Sequence, residues 1–283
     1  MGAGGLIEIK RRLKSVQNTR KITNAMGLVS TSKLRKCRNA LKDSEEYFNV
    51  SRKNIESLAN ASKELDGNIY FNGNKSDKKL YIVVTADSGL CAGYNGNTVA
   101  YLESVSQDFK DKVNVIAVGR KGLSYLRKAK LNTIAEYVDI AEIPTEKDVK
   151  VIYQKALRLF MDGEVSEVNV VYTKFESPVR QTVTIEKLLP LDNIEGDGKE
   201  PTVEPSLEIV LKNSVDAYLK GELRRLMLSS RCSEECARMN AMNGATSNAN
   251  DILDALNLKY NRIRQAMITQ EISEIVGGAA AQK

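Results

Sequence analysis

The sequence has no histidine and no tryptophan, and only five prolines and four cysteines in 283 residues. Without histidine, the most frequent general acid/base, the usual activator of a serine or cysteine nucleophile and the commonest metal ligand are all missing. No apolar run reaches the ~18 residues that read as a membrane-spanning helix. The opening stretch, MGAGGLIEIKRR, lacks the apolar core of a secretory signal. It also misses the myristoylation pattern, because Leu6 stands where Ser or Thr is required. The expectation is a soluble chain that meets a membrane only through a partner, with no direct membrane insertion. Cys232 and Cys236 lie one helical turn apart, but two thiols without a second pair or a histidine make a poor zinc site. They read as small buried residues on a helix. No metal and no cofactor are expected.

Proline and glycine are also scarce in particular places. The first proline is Pro144 and the last Pro205. Gly27 is the sole glycine between Leu6 and Leu65, and only Gly221 and Gly244 fall between Ser206 and Val276. Both ends are therefore free of strong breakers over lengths far beyond the ~11-residue average helix. The first helix is expected to cover about 55 residues, or about 80 Å, and the last about 71 residues, or about 105 Å.

The middle reads differently. Residues 80–85, 113–118, 134–140 and 167–173 are short β-rich apolar runs, with helical stretches near 97–110, 120–130 and 146–162. Alternation of this kind predicts a mostly parallel α/β sheet. Residues 179–189 add a last strand, antiparallel to its predecessor after a Ser177-Pro178 turn. Residues 191–205 are an acidic linker containing Gly and Pro.

The last helix carries a heptad seam. Met239, Met242, Thr246, Ala249, Leu253, Leu256, Tyr260, Ile263 and Met267 advance by alternating steps of three and four. The first helix shows a looser set: Ile9, Leu13, Val16, Ile22, Met26 and Val29. A narrow apolar stripe needs a partner helix. The two ends of the chain are the obvious pair, and an intervening domain that returns the chain makes the pairing antiparallel. Matched from that domain, the first helix ends opposite roughly residue 261. Beyond Met267 the apolar positions shift to Ile268, Ile272, Ile275 and Val276, a tip that suits a sleeve supplied by another protein. The predicted division is therefore a coiled-coil helix over 1–65, an α/β domain over 66–205, and a coiled-coil helix with a protruding tip over 206–283.

Charge is uneven. Eleven of the Lys and Arg residues precede Asp43, against one acid, Glu8; the remaining chain has 31 basic and 35 acidic residues. A basic helix of this kind suits nucleic acid, a membrane surface or an acidic protein. No catalytic constellation emerges. DSGLCAGYNGN (87–97) follows a strand and precedes a helix, the place for a phosphate-cradling loop. Neither GxGxxG nor GxxxxGK[ST] is present, so its glycines, like those of GRKG (119–122), read as turn-tightening. Glu234 with Glu235, and Glu271 with Glu274, read as solvated or salt-bridged. Met26, Met239, Met242 and Met267 read as a flexible seam.

Both ends resemble the gamma family of the F-type ATP synthases. Residues 9–36, IKRRLKSVQNTRKITNAMGLVSTSKLRK, and 260–281, YNRIRQAMITQEISEIVGGAAA, are similar to its long terminal motifs. GLCAGYN (89–95) resembles the family's G-L-C-G-x-x-N, with Ala92 in place of a glycine. The resemblance spans the chain and is weaker in the middle. It implies a Rossmann-like foot domain inserted in an antiparallel coiled coil, set within a ring of three alpha and three beta subunits. It implies a non-catalytic subunit whose foot binds the epsilon subunit and the c-ring at the cytoplasmic face of a bacterial cell membrane. There ion transport, of hydrogen ions or sodium, drives rotation. It further implies that Met26 lies near an acidic hinge of beta, that Arg264 and Gln265 meet a beta loop with Thr269 nearby, and that Glu204 lies near the c-ring. The short linker and the lack of a central cysteine pair set the chain apart from the thiol-regulated chloroplast form. The competing readings are an α/β nucleotide-binding enzyme, which explains only the middle, and a coiled-coil nucleic-acid or scaffold protein, which leaves the apolar tip unexplained.

Overall fold

The computed structural model describes residues 3–62, 68–191 and 203–281. Most of the expected linker at 191–205 lies outside the described residues. Two long helices, α1 (Ala3–Ser62) and α6 (Leu207–Ala281), bracket the rest. Between them run a single-turn helix α2 (Ile69–Asn72), β1 (Lys79–Val84), α3 (Tyr94–Val105), a 3-10 turn (Gln107–Lys112) and β2 (Val113–Val118). Then follow α4 (Arg120–Lys128), β3 (Asn132–Tyr137), α5 (Glu146–Met161), β4 (Glu167–Phe175) and β5 (Gln181–Leu189).

By contact density the chain divides into two compact units. One holds residues Met1–Ser30 and Met239–Lys283, the other Thr31–Arg238. The larger unit contains a five-stranded sheet in the order β3-β2-β1-β4-β5. The first four strands run parallel, and β5 pairs antiparallel with β4. Strands β1, β2 and β4 are near-continuous runs of buried side chains, as expected where both faces of a parallel sheet are covered. Val99 and Leu102 of α3 and Leu126 of α4 pack on one face. On the other, Ile152, Phe160 and Ala156 of α5 join Phe48 and Ile55 of α1 and Leu219, Leu223 and Leu226 of α6.

Local chemistry sets the element ends. Helix α5 starts at a capping box, in which Thr145 accepts from the Asp148 N–H and Asp148 accepts from the Thr145 N–H. The turn into β5 is built on Ser177, whose Oγ accepts from the N–H groups of Val179 and Arg180. Strand β3 stops at Tyr137, short of the expected Ile140, because Asp139 turns to φ 56° and gives its N–H to Asp87 Oδ1. The helix expected near 97–110 breaks at Ser106, and a 3-10 turn follows.

The smaller unit is an antiparallel pair of helical segments. Thr23 Oγ1 meets Thr246 Oγ1 at 2.8 Å, and Arg20 Nη1 donates to Asn250 Oδ1 at 3.4 Å, so ascending numbers on α1 face descending ones on α6. On α6 every position of the expected seam from Met239 to Met267 is buried or half-buried, with Ala241 and Ala245 half-buried beside it. On α1 the seam differs from expectation. Its inward positions are Ile9, Leu13, Val16, Arg20, Thr23, Gly27 and Ser30, in unbroken steps of four and three. Ile22 and Val29 are 59% and 54% exposed, and Met26 is half-buried. Following the largest apolar residues breaks the period after Val16, whereas the period itself selects Thr23, Gly27 and Ser30. A Cβ on Gly27 would come within 2.9 Å of Asn243 Oδ1, so the helices approach too closely there for bulk.

This register is testable by one pair of substitutions. Leu256→Asp, at a buried seam position, puts an unpaired carboxylate between the helices and is expected to cost several kcal/mol. Ile22→Asp, on the outer surface, is expected to change stability by no more than about 0.5 kcal/mol. Urea unfolding followed by far-ultraviolet circular dichroism compares them, and equal losses would return Ile22 to the seam.

Candidate partner interface

In the larger unit, the sheet reverses direction of growth at β1, which has β2 on one side and β4 on the other. The crevice beyond the carboxyl ends of such strands is where open α/β sheets hold ligands. Here α6 fills it. Ser229 Oγ accepts from the Phe175 N–H at 3.0 Å, and Ser230 Oγ accepts from the Thr173 N–H at 3.3 Å. Ser233 Oγ donates to the Thr173 carbonyl at 2.8 Å. The Tyr94 hydroxyl lies 2.7 Å from Ser230 Oγ. These small hydroxyl side chains satisfy the frayed end of β4 without holding α6 away from it.

An ionic network closes the β1 side. Arg238 donates to the carbonyls of Gly89 at 3.1 Å and Ser88 at 3.3 Å, and to Ser88 Oγ at 2.7 Å. The same guanidinium pairs with Glu234 at 2.7 Å and Glu235 at 2.8 Å, and Arg231 takes the other oxygen of Glu234. Glu234 and Glu235 are 1% and 3% exposed. They are salt-bridged as expected, and they are not solvated. Burial lowers the pKa of Arg238, but Glu234 and Glu235 more than offset it and hold the guanidinium charged. The loop that Arg238 grips carries Leu90 at φ 62° and Ala92 at φ 49°. The glycine-to-alanine departure at Ala92 thus sits in the left-handed region, where a Cβ is strained. Gly119, in the GRKG turn, has φ 95°, and a Cβ there would lie 2.2 Å from the Thr85 carbonyl oxygen, so its role is conformational.

The cysteines behave as the sequence suggests. Cys37, Cys232 and Cys236 are fully buried. Burial pushes the Cys37 thiol up to about 11 and the Cys232 thiol up to about 12. Among the described residues no cluster of three or more potential ligands could hold a metal ion.

The residues expected to contact partners fall in both units. Arg264, Gln265 and Thr269 sit together on the exposed surface of α6, where Thr269 Oγ1 donates to the Gln265 carbonyl at 3.0 Å. Carrying the Thr23–Thr246 register along both helices puts Gly5 opposite Arg264, a few residues beyond the expected end of overlap near 261. Met26 lies on α1 opposite residues near Asn243, about 30 Å along the helix from Arg264. Glu204 is exposed in a bend just before α6 and belongs to the larger unit. From Ile268 to Ala279 every side chain is exposed, including Ile268, Ile272, Ile275 and Val276. Ile22, Leu28 and Val29 add a second exposed apolar surface on α1. Sequence reading misassigned Ile22 and Val29 to the seam; an unbroken count by fours and threes finds them outside it. Lys10, Arg11, Arg12, Lys14 and Lys21 are exposed and form no ion pair with any described residue.

The smaller unit therefore presents apolar and basic surface that the described residues leave uncovered. The larger unit has filled its own ligand crevice. Together they define a coiled-coil chain with an inserted Rossmann-like domain. The family model described as ATP synthase matches residues 5–282. The chain is 58% identical over 283 residues to an ATP synthase gamma chain of Clostridium botulinum, and 52% identical over 282 residues to one of Clostridium beijerinckii, each alignment covering 100% of both chains. The chain belongs to the ATP synthase gamma-chain family. Its fold is similar to a rotor chain of the Euglena gracilis mitochondrial ATP synthase, with a TM-score of 0.71 and 17% identity over 94% of this chain and 100% of that one. A central-stalk chain from Tetrahymena thermophila gives a TM-score of 0.60 and 23% identity, covering 79% and 99%.

Two substitutions test the grip of α6. Arg238→Met leaves Glu234 and Glu235 buried with one guanidinium fewer, at an expected cost of about 3–5 kcal/mol at neutral pH. Urea unfolding measures the loss, and a cost under about 1 kcal/mol contradicts the network. Ala92→Gly relieves the left-handed alanine and is expected to raise stability by about 0.5–1 kcal/mol, read as a higher urea midpoint.

Proposed function

We propose that this chain is the central rotor shaft of an F-type ATP synthase, coupling transmembrane ion flow to ATP synthesis or hydrolysis at the beta subunits. The observation that carries the reading is the tip. The seam ends at Met267, the opposing helix ends near Arg264, and α6 continues with exposed isoleucines and valine. Apolar residues held out on a helix need a sleeve. Three alpha and three beta subunits supply one. In this reading the unpaired basic side chains at the start of α1 meet acidic partner surface. Met26, Arg264, Gln265 and Thr269 face beta, while Glu204 lies toward the c-ring and the foot binds epsilon. The chain itself performs no chemistry, and the complex sits at the cytoplasmic face of the bacterial membrane. No described helix is long and apolar enough to cross a membrane. A nucleic-acid partner accounts for the lysines and arginines but not for Ile268, Ile272, Ile275 and Val276.

The test compares two variants in two assays. Removing residues 271–283 is expected to leave melting of the isolated chain nearly unchanged and to lower coupled synthesis by the reconstituted complex only partly. Arg264→Ala with Gln265→Ala is expected to lower synthesis further, through loss of charge-assisted hydrogen bonds worth about 1.5–3 kcal/mol each. Unfolding of the isolated chain by the truncation would show that the tip packs within the chain. Full coupling in both variants would refute the assignment of these residues to the beta contact.

A further inference from the structure

A cleft of about 440 Å³ lies in the larger unit between α1, the start of α5 and α6. That is within the ~300–1,000 Å³ of small-molecule sites. Its polar lining is made almost wholly of donors. Ser44, 2% exposed, presents an Oγ with no hydrogen-bond partner. A buried hydroxyl left without a partner costs about 1–3 kcal/mol and calls for an explanation. Arg224 spends its Nε on the Pro144 carbonyl at 3.2 Å, and its guanidinium makes no salt bridge with a described carboxylate. Lys220 pairs with Asp216 at 2.6 Å through one of three donor positions. At the start of α5, Thr145 absorbs the Asp148 N–H and the Val149 N–H, leaving those of Glu146 and Lys147 open. Glu146 is the single carboxylate on the wall, and it is exposed. Tyr47 forms an aromatic side beside Gly221, where a Cβ would come within 2.9 Å of its ring.

We propose that this cleft binds a small organic molecule bearing a carboxylate or phosphate, with the anionic group on Arg224 and the Ser44 hydroxyl and the apolar part against Tyr47. The chemistry follows from the imbalance. Arg224 without a salt bridge, the unpartnered Ser44 hydroxyl and Glu146 at the start of α5 line one cleft, and an oxyanion supplies an acceptor that they lack. The inference is independent of the rotor reading, because the cleft uses neither the tip nor the residues expected to face beta.

Calorimetric titration of the full chain with phenyl phosphate, benzoate and inorganic phosphate tests it, with phenol as the uncharged control. Saturable binding of the aromatic anions, absent for phenol, is expected. Arg224→Gln is expected to weaken it about tenfold or more, as loss of a charge-assisted contact does. Ser44→Ala removes an unpartnered buried hydroxyl, so it should raise melting, or at least not lower it, while lowering affinity. Absence of saturable binding by every anion overturns the proposal, as does an affinity unchanged in Arg224→Gln. If no anion binds the free chain while Arg224→Gln weakens its assembly with alpha and beta subunits, the cleft holds a partner's acidic side chain, and the small-molecule site is refuted.

Discussion

The contact on which the larger unit depends is that of Arg238 with the loop after β1. A single guanidinium holds two backbone carbonyls and a serine hydroxyl on one side, and two buried carboxylates on the other. Burying Glu234 and Glu235 without cations would cost several kcal/mol each. Their presence therefore commits α6 to a single position over the ends of β1 and β4. The serines at 229, 230 and 233 complete the commitment, since each bonds to the backbone of β4. A helix shifted by one residue would lose all of these bonds together. In other open sheets this crevice admits a ligand. Here the polar groups that would greet one are spent on fixing a helix.

The helix pair of the smaller unit obeys a different rule. Its seam contains Thr23, Gly27 and Ser30 on one helix and Thr246 and Ala249 on the other. These residues contribute little of the ~1.5–3 kcal/mol that burying a leucine or isoleucine provides. They provide close approach instead, with a hydroxyl pair between Thr23 and Thr246 fixing register. Ile22, Leu28 and Val29 of α1 are turned outward as a result, while Ile9, Leu13 and Val16 stay in the seam, and α6 beyond Met267 exposes its apolar residues.

Much of this was legible in the sequence, and the misses share a cause. The mostly parallel sheet and its antiparallel last strand follow from alternating apolar runs and the Ser177-Pro178 turn, whereas the strand order came only with the fold. The α6 seam follows from period alone, because its members are mostly large. The α1 seam was misread where its members are small or polar: ranking by hydrophobicity chose Ile22 over Thr23 and Val29 over Ser30. Ile263, Met267 and Ile268 mark the change from seam to tip, and that boundary was readable because the stripe jumps by a single residue. Arg238 was invisible as a structural residue. Its partners at Ser88 and Gly89 lie 150 and 149 positions away, and no local pattern announces a side chain that bonds to carbonyls. The Glu234–Glu235 pair read as solvated or salt-bridged, and only the fold chose the buried salt bridge.

The two units therefore spend their polar and apolar groups in opposite ways, and the contrast bears on function. The larger unit has buried charges, each answered within the chain, and a nearly continuous apolar core. The smaller unit exposes Ile22, Leu28, Val29, Ile268, Ile272, Ile275 and Val276 while burying threonine, glycine and serine. Covering exposed aliphatic side chains is worth about 25 cal/mol per Å² of apolar surface removed from water. Little of that stabilisation is gained by the smaller unit alone. On the proposed function, a surrounding ring of subunits gains it on assembly. A smooth apolar tip also suits rotation better than a polar one would. Dispersion and hydrophobic contacts are non-directional and change little as one surface slides past another. Hydrogen bonds and ion pairs lose their strength over a fraction of an ångström. On the proposed function, directional groups belong where torque is transmitted, at Arg264 and Gln265, and non-directional ones belong at the bearing beyond them. The order of residues along α6, polar contacts first and apolar tip last, is the order such a shaft requires.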